Sequence, residues 1–333
     1  MSPDTLLAGV QRALARTDDD RVLRRDVLER VRRTVPFDAF AWLLTDPETT
    51  VGTAPLAEVP CLDRLPRLVA LRYTAARRWS ASVPGVVSRP VPPGSDLALF
   101  IADYGSYDVV TLVFADRFGW WGFLDLWREG GCFGPDELEV LGALGPAITT
   151  ALRMSRAAAF LASGPPARQP LERSLLLLGS DLQLHRQTPE AEESLRALLP
   201  TEASRRPVPA AAYNVAAQLL AVERGVDRHR PLVRTAVVPG SWVCLQAARL
   251  GADIGVTIGP LEQQERWTLF SRVHGLSQRE TDVVGCLVEG DDSRAVAARL
   301  HLSPHTVQDH LKSVFAKVGV RSRRELLALA RGA

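Results

Sequence analysis

Apolar residues recur at helical spacing in four consecutive segments near the C-terminus, and each segment is bounded by residues that start or stop a helix. Side chains that cap a free backbone N–H favour a helix start, proline fits the first helical position, and glycine ends a helix in the left-handed conformation. We therefore predict four helices in this region, two of them opened by an S-x-x-E capping box. The residues that mark the starts and ends are Ser277 with Glu280, Gly290, Asp292, Ser303 with Pro304, Gly319, and Ser322 with Glu325.

The third predicted helix divides into an apolar and a polar face. Apolar residues fall on one side at helical spacing, which predicts the core face. The other side carries donors, one acceptor, a lysine and a small residue, and this set suits the major groove of DNA. There lysine binds guanine, glutamine can bind adenine, and aspartate can accept from cytosine. The core positions are Val307, Leu311, Val314, Phe315 and Val318, and the opposite positions are His305, Asp309, Lys312 and Ala316, with Gln308 and Ser313 at the flanks.

Charge is concentrated at the same end of the chain. Overall, 40 Lys plus Arg face 38 Asp plus Glu, a formal net charge of +2. From Arg299 to the end, seven basic residues face only Asp309 and Glu325, which favours a polyanionic partner. Lys312 and Lys317 are the two lysines of the chain, so residues 1–311 lack the lysine of a phosphate loop, a kinase site or a phosphorylated receiver domain.

The run LSPHTVQDHLKSVFAKVGVRSRREL, with LSQRE before it, resembles the helix-turn-helix domain of the LuxR-type bacterial transcription regulators. The resemblance covers about sixty residues and implies an all-α, four-helix DNA-binding domain over 270–333. It departs from the family at Ala295, where a helix-capping Glu is usual. It implies base reading by Gln308, Asp309 and Lys312, and phosphate contact or local bracing by Thr306, His310, Arg321 and Arg323, with His305 on the DNA-facing side.

Double-stranded DNA is then the expected partner. Domains of this kind meet adjacent half-sites in pairs, so we expect a homodimer. The long helix ending near Phe160 and the leucine-rich final helix are the expected dimer surfaces, and RNA polymerase is a further candidate partner.

Residues 1–161 predict an α+β domain. Helical patterning from Leu6 to Val35 is interrupted at the acidic triplet 18–20 and followed by a strand at 40–44. Residues 110–127 predict a hairpin, and a helix from Asp136 to Phe160 closes the region with a kink expected at Pro146.

Residues 171–259 predict a second, smaller sheet flanked by helices. Strands at 174–178 and 182–186 flank a Gly-Ser-Asp turn, and three more strands are expected at 232–238, 242–248 and 254–258. Two Pro and Gly-rich breaks delimit the region. The first, residues 162–166 with Pro170, predicts a linker, and the second is Gly259-Pro260.

The first region resembles a GAF-like sensor domain, on the runs VPFDAFAWLL, FADRFGWWGFL and FGPDELEVLGALGPAITTALR. The second resembles a PAS-like domain, on SLLLLGSDLQLHRQTPEAEESL and its three late strands. We therefore predict α+β sensor domains with antiparallel sheets flanked by helices at 1–161 and 171–259, followed by the helix-turn-helix domain. The predicted function is a sequence-specific transcriptional regulator controlled by its sensor and dimerisation domains.

Fifteen of the 21 aromatic residues lie between Phe37 and Phe133, which favours either an apolar effector pocket within 1–161 or a well-filled core with a dimer surface. The residues singled out are Trp79, Tyr104, Tyr107, Trp120, Trp121 and Trp127.

We expect no cofactor and no metal. His185, Cys61 and Cys132 have no neighbours that support haem or tetrapyrrole binding, and His301, His305 and His310 do not converge. The cysteines, Cys61, Cys132, Cys244 and Cys286, form no CxxC pair and predict small buried apolar groups in a reducing compartment. No apolar run reaches the length of a membrane span, so a cytoplasmic protein with no membrane partner is expected.

Two alternative functions stay open. An acyl-homoserine lactone receptor would share the DNA-binding end but usually has one sensor domain. A sensor or adaptor with a degenerate helix-turn-helix would lack salt-dependent DNA affinity. Catalytic motifs are absent, so an enzyme is not expected.

Overall fold

The computed structural model describes residues 3–14, 16–17, 19–75, 78–161, 173–198, 210–238 and 241–331. Its first part opens with helices α1 (Pro3–Leu14) and α2 (Asp20–Arg32). The break between them follows from capping, because the Asp19 carboxylate accepts the N–H groups of Arg21 and Val22 and starts α2.

A four-stranded antiparallel sheet forms the centre of this part. Its strands are β1 (Ala39–Thr45), β2 (Gly52–Glu58), β3 (Tyr107–Asp116) and β4 (Gly119–Glu129), in the order β2-β1-β4-β3. The predicted strand at 40–44 and the hairpin at 110–127 are thus confirmed.

Helices cover both faces of this sheet. α3 (Leu65–Thr74) and α4 (Asp96–Ala102) share a buried cluster with β1, β3 and β4. The 27-residue α5 (Pro135–Leu161) packs on β3 and β4 and also contacts α1 and α2. It continues as one α-helix through Pro146 and is about 40 Å long.

The second sheet is five-stranded and antiparallel. The last strand runs two residues beyond its predicted end, because Gly259 and Pro260 both pair with the preceding strand, and it ends at Pro260. The predicted linker at 162–166 with Pro170 lies outside the described residues. The strands of this sheet are β5 (Ser174–Leu178), β6 (Leu184–Gln187), β7 (Leu232–Val238), β8 (Ser241–Leu250) and β9 (Asp253–Pro260), in the order β6-β5-β9-β8-β7. The helices α6 (Pro189–Leu198) and α7 (Ala210–Glu223) flank these strands.

Five helices form the C-terminal part. The sequence analysis gave no element for the first, α8 (Gln263–Val273), and the other four occur where they are predicted. They are α9 (Gln278–Glu289), α10 (Ser293–Arg299), α11 (Pro304–Val318) and α12 (Arg323–Arg331). Two antiparallel sheets flanked by helices and followed by an all-α unit are the predicted fold class.

A buried polar network joins the two sheets. The Arg234 guanidinium on β7 bonds to both carboxylate oxygens of Asp46 at 2.7 and 2.8 Å, and both side chains are 0% exposed. Thr53 and Thr235 bond through their hydroxyls at 2.9 Å, and Asn214 of α7 donates to the Gly52 carbonyl at 2.9 Å. These contacts fix the position of one sheet against the other.

The predictions about membrane spans, metal sites and cysteines can be compared with the structure. No helix in the described part of the chain is long and apolar enough to cross a membrane. Among the described residues, no group of three His, Cys, Asp or Glu side chains is placed to hold a metal ion. Cys61 and Cys286 are buried, but Cys132 is exposed, which differs from the expectation of four buried thiols.

Candidate nucleic-acid interface

Side chains that cap the helix starts fix the geometry of α10, α11 and the turn between them. Asp292 accepts the N–H groups of Arg294 and Ala295 at 2.9 and 2.8 Å, and thereby caps α10 although Ala295 cannot take part through its side chain. His301 turns the chain with a φ of 54°, and the Ser303 hydroxyl accepts the Thr306 N–H at 3.0 Å to start α11. The α10 and α11 axes are therefore connected by a short, defined turn.

The apolar face of α11 is buried as predicted. Val307, Leu311, Val314 and Val318 pack into the core against α9 and α10, while Phe315 is half-buried at its edge. Because this face is fully used inside the domain, the opposite face of α11 is directed outward.

Four of the predicted DNA-facing residues share that outward face. The His305, Asp309 and Lys312 side chains are 84%, 54% and 73% exposed. Gln308 is exposed beside them and lies 3.4 Å from the Ser293 hydroxyl at the start of α10. The structure thus brings these four side chains together on one open surface, which we call the reading face.

Asp309 is the electrostatic centre of the reading face. Its carboxylate lies 3.2 Å from the Lys312 ammonium and 3.5 Å from His305 Nε2. Exposed pairs of this kind contribute little to stability and exchange readily with other partners. Lys312 can therefore leave Asp309 for an acceptor on another molecule.

The other predicted site residues divide into two sets. Arg321 is exposed, with no ion pair of its side chain among the described residues. The half-buried ones are engaged locally: the Thr306 hydroxyl bonds to that of Ser303 at 2.9 Å, and Arg323 donates to the Asp291 carbonyl at 2.6 Å. His310 is also half-buried.

Two of the seven basic residues counted above are neutralised by internal contacts. Arg299 pairs with Glu289 and Asp291, and Lys317 lies 2.5 Å from Glu280. Of the other five, Lys312 pairs with the exposed Asp309, and Arg323 and Arg331 donate to backbone carbonyls and keep their charge. Arg321 and Arg324 are exposed.

Residues 274–330 match the model of the family described as bacterial regulatory proteins, luxR family. The C-terminal domain is a LuxR-family helix-turn-helix domain. The predicted LuxR-type resemblance of this domain is confirmed.

Two relatives match this chain over short stretches. The transcriptional regulatory protein FixJ of Azorhizobium caulinodans is 36% identical over 69 residues, which is 21% of this chain and 33% of that protein. A protein of Mycobacterium tuberculosis, provisionally named an HTH-type transcriptional regulator, is 35% identical over 82 residues, 25% of this chain and 9% of that protein. The chain therefore spans a third or less of the length of these relatives.

Among solved structures, Escherichia coli SdiA aligns over 99% of this chain and 96% of its own, at 13% identity and a TM-score of 0.37.

Helix α11 of the LuxR-family domain is hydrogen-bonded to a buried carboxylate, that of Glu280 at the start of α9. The sequence predicted its capping box with Ser277, and the structure adds two contacts from α11, the Ser313 hydroxyl at 2.6 Å and the Lys317 ammonium at 2.5 Å. Burial alone would raise its pKa, but these hydrogen bonds outweigh burial and lower the pKa to about 2. Ser313 therefore faces α9. In the sequence, the position of Ser313 at the flank of the polar face was the one sign that its side chain does not face outward.

The LuxR-family domain is docked on the N-terminal part through α8. Arg272 donates to the Phe118 carbonyl in the β3–β4 turn at 2.9 Å, and Arg266 donates to the Leu329 carbonyl of α12 at 3.1 Å. α8 contacts α5 on one side and α12 on the other. The docking leaves the reading face open.

An apolar cavity of about 450 Å³ lies between the first sheet and helices α3 and α4. Aliphatic side chains line most of it, among them Leu68, Val109 and Ile101. A buried ion pair forms its polar part, because Arg72 Nε lies 3.0 Å from the Asp125 carboxylate and Nη2 donates to the Thr111 hydroxyl.

The aromatic residues of the sequence analysis lie mainly elsewhere. Of the six singled out, Trp127 lines this cavity. Trp79 is fully buried, stacks on Phe123 at 4.3 Å and donates its indole N–H to the Thr50 carbonyl. The cluster thus serves largely as packing.

Proposed function

We propose that this protein is a sequence-specific DNA-binding transcriptional regulator, with a GAF-like domain at 1–161 and a PAS-like domain at 171–259 that control the C-terminal domain at 270–333. The observation that carries the proposal is the open reading face on α11 of a LuxR-family domain. A helix with one buried and one exposed polar face can enter the major groove without disturbing its own core. The proposal includes no catalytic step.

Each site residue has a proposed role. Gln308, Asp309 and Lys312 read base edges, with His305 beside them. Thr306, His310 and Arg321 contact phosphates, and Arg323 braces α12 through the Asp291 carbonyl.

We propose that the protein binds as a homodimer, because one LuxR-family domain covers a single half-site. On α12, Leu326 is buried inside the protomer, while Leu327 and Ala328 line a shallow groove between arginines. On α5, Met154 and Leu161 are exposed apolar side chains. Both helices thus have exposed apolar surface that a second copy could contact. Because the reading face is open in the single chain, we propose that DNA binding is controlled through the spacing of the two copies.

Replacing Lys312 by alanine is expected to weaken binding to the operator by about 1–3 kcal/mol and to relax the preference at one base position, because a lysine contact to guanine is lost. Fluorescence anisotropy with labelled DNA from upstream of the protein's own gene measures the affinity, and a randomised-site selection measures the preference. Arg25→Ala, which removes an exposed cation on α2, is the matched control. Unchanged affinity and preference in Lys312→Ala would show that another face of the domain reads DNA.

A salt titration of the full-length protein tests the proposal as a whole. Since phosphate contacts release counterions, affinity for the operator fragment is expected to fall steeply with salt. Absence of salt-dependent binding at every concentration would instead favour an adaptor that works through protein contacts.

We further propose that the 450 Å³ cavity takes a small-molecule effector within 1–161. Filling it with Ala57→Phe is expected to abolish the rise in Tm caused by a ligand of this cavity, while Ala102→Phe, on the exposed end of α4, leaves that rise intact. A broad metabolite screen that never raises the Tm of the wild-type protein contradicts this part of the proposal.

A further inference from the structure

A second cavity, of about 740 Å³, lies at the junction of the two N-terminal sheets. The start of α2, the end of α5, strands β1 and β2, and strands β7 and β8 of the second sheet surround it. Most of its lining is aliphatic, and among the described lining residues Arg156 and Trp242 each have a buried donor nitrogen with no hydrogen-bond partner. The lining residues used below are Asp19, Asp20, Leu44, Arg156, Val237 and Trp242.

Arg156 is a buried cation with one unpaired nitrogen, Nη1, and the charges of Asp46 and Asp20 act on it without a hydrogen bond among the described residues. It lies on α5 and is 6% exposed, and its Nη1 has no hydrogen bond. Burial lowers its pKa to about 10, so the guanidinium is still charged at neutral pH. An unpaired buried charge is costly and is usually compensated by an ion of the opposite sign.

The neighbouring charged groups are already engaged. Arg24 bonds to the Trp42 and Ala54 carbonyls and to Asp20, and Arg234 occupies both oxygens of Asp46. Asp19 is used as the cap of α2. None of these carboxylates therefore compensates Arg156 by direct contact.

Trp242 supplies a second free donor to the same cavity. Its indole is 6% exposed, and its Nε1 has no acceptor among the described residues. The ring stacks on Phe160 of α5 at 4.5 Å, which holds the indole at the cavity. Two unpaired donors on one cavity call for an occupant with acceptor oxygens.

We propose that this junction cavity binds a small organic monoanion, with its carboxylate on Arg156 and Trp242 and its apolar body against Leu44 and Val237. A carboxylate matches a guanidinium and an indole N–H, and an aliphatic or aromatic body matches the remaining lining. Asp19 and Asp20 at the same cavity disfavour a dianion such as a phosphate monoester.

The site is connected to the C-terminal part by aromatic contacts. Phe160, which stacks on Trp242, also meets Phe270 of α8 edge to face at 5.7 Å, and the Arg266 guanidinium lies 4.9 Å from the Phe160 ring centre. An occupant would thus touch the ring stack that leads to α8. Its binding is measured directly and does not depend on the proposed DNA-binding function.

Calorimetry and thermal shift on the full-length protein test the site with octanoate and indole-3-acetate. Matched neutral probes are octanamide and indole-3-acetamide, and octyl phosphate is the dianionic probe. We expect the carboxylates to bind and raise the Tm, and the amides and the phosphate to bind about tenfold more weakly or not at all. The proposal is overturned if neither carboxylate binds or if the amides bind as tightly.

Two variants locate the bound carboxylate. Arg156→Leu is expected to weaken its binding by about ten- to a hundredfold while leaving the Tm of the ligand-free protein equal or higher, because an unpaired buried charge is removed. Trp242→Phe keeps the ring contact with Phe160 and removes only the indole donor. We therefore expect a smaller loss of carboxylate affinity than in Arg156→Leu. With two variants, the test does not depend on the folding of either one alone.

Arg25→Leu, an exposed arginine on α2, is the control that should retain wild-type affinity. Ala57→Phe, which fills the other cavity, should also retain it. Wild-type affinity in Arg156→Leu, or loss of binding in Ala57→Phe, would place the carboxylate elsewhere and refute the assignment.

Discussion

Replacing Arg234 by methionine is expected to lower the free energy of unfolding by about 3–5 kcal/mol. The change removes the fully buried partner of Asp46 and leaves that carboxylate without its hydrogen-bonded counter-charge. It also removes the contacts of Arg234 with Glu48 at 2.9 Å and Glu265 of α8 at 3.1 Å. Urea unfolding followed by tryptophan fluorescence measures the loss.

A double variant separates the uncompensated charge from lost packing. Arg234→Met with Asp46→Asn is expected to be more stable than Arg234→Met alone, because no charge is then left buried. Glu48→Gln, at a side chain 38% exposed, should change stability little. Equal stability of the single and double variants would show that the cost lies in packing and not in the charge of Asp46.

The same pair predicts a pH dependence. Burial would raise the pKa of Asp46, but Arg234 outweighs burial and lowers it from 3.8 to about 2. A carboxyl whose folded pKa is lowered stabilises the protein above its unfolded pKa. This contribution is therefore expected to be complete above pH 5 or so and to disappear as the pH falls through about 2.

Replacing Glu280 by alanine is expected to destabilise the LuxR-family domain by about 1–3 kcal/mol, because the buried donors on Ser313 and Lys317 lose their acceptor. The variant loses half of the capping box of α9 and both bonds to α11. The orientation of the reading face against α9 should loosen as a result, and operator affinity should fall although Glu280 lies on the core side. Thermal unfolding and anisotropy on the same preparation measure the two effects.

Controls for Glu280 are available within the domain. Glu280→Gln keeps the acceptor oxygen for Ser313 and should recover part of the stability, whereas Glu325→Gln changes an exposed carboxylate and should have little effect. If Glu280→Ala retained wild-type stability, the buried contacts with Ser313 and Lys317 would not be what anchors α11.

The helix-turn-helix unit could be predicted almost completely from the sequence because its determinants are local. Ser277, Asp292 and Ser303 cap the backbone N–H groups two or three positions later, as their spacing predicts. The apolar face of α11, and by subtraction its reading face, follow from the helical period alone. Whether the individual reading-face residues bind DNA stays a prediction.

Other features needed the folded chain. Gly259 and Pro260 suggest a break in any local analysis, yet β8 pairs with both of them and extends the strand. α8 has few local markers and is positioned by contacts with α5 and α12. The aromatic residues between Phe37 and Phe133 suggested a pocket, whereas Trp79 became core and aliphatic side chains line the cavity.

By itself, the sequence of this protein determined the two antiparallel sheets, the capped four-helix end and the face that points outward from the third of those four helices. Those properties depend on spacings of a few residues. The tertiary structure alone decided that Asp46 pairs with Arg234, that Glu280 contacts α11, and that Arg156 and Trp242 line the same cavity. Partners 33 to 188 residues apart carry no local pattern, since their contact depends on how whole sheets and helices pack.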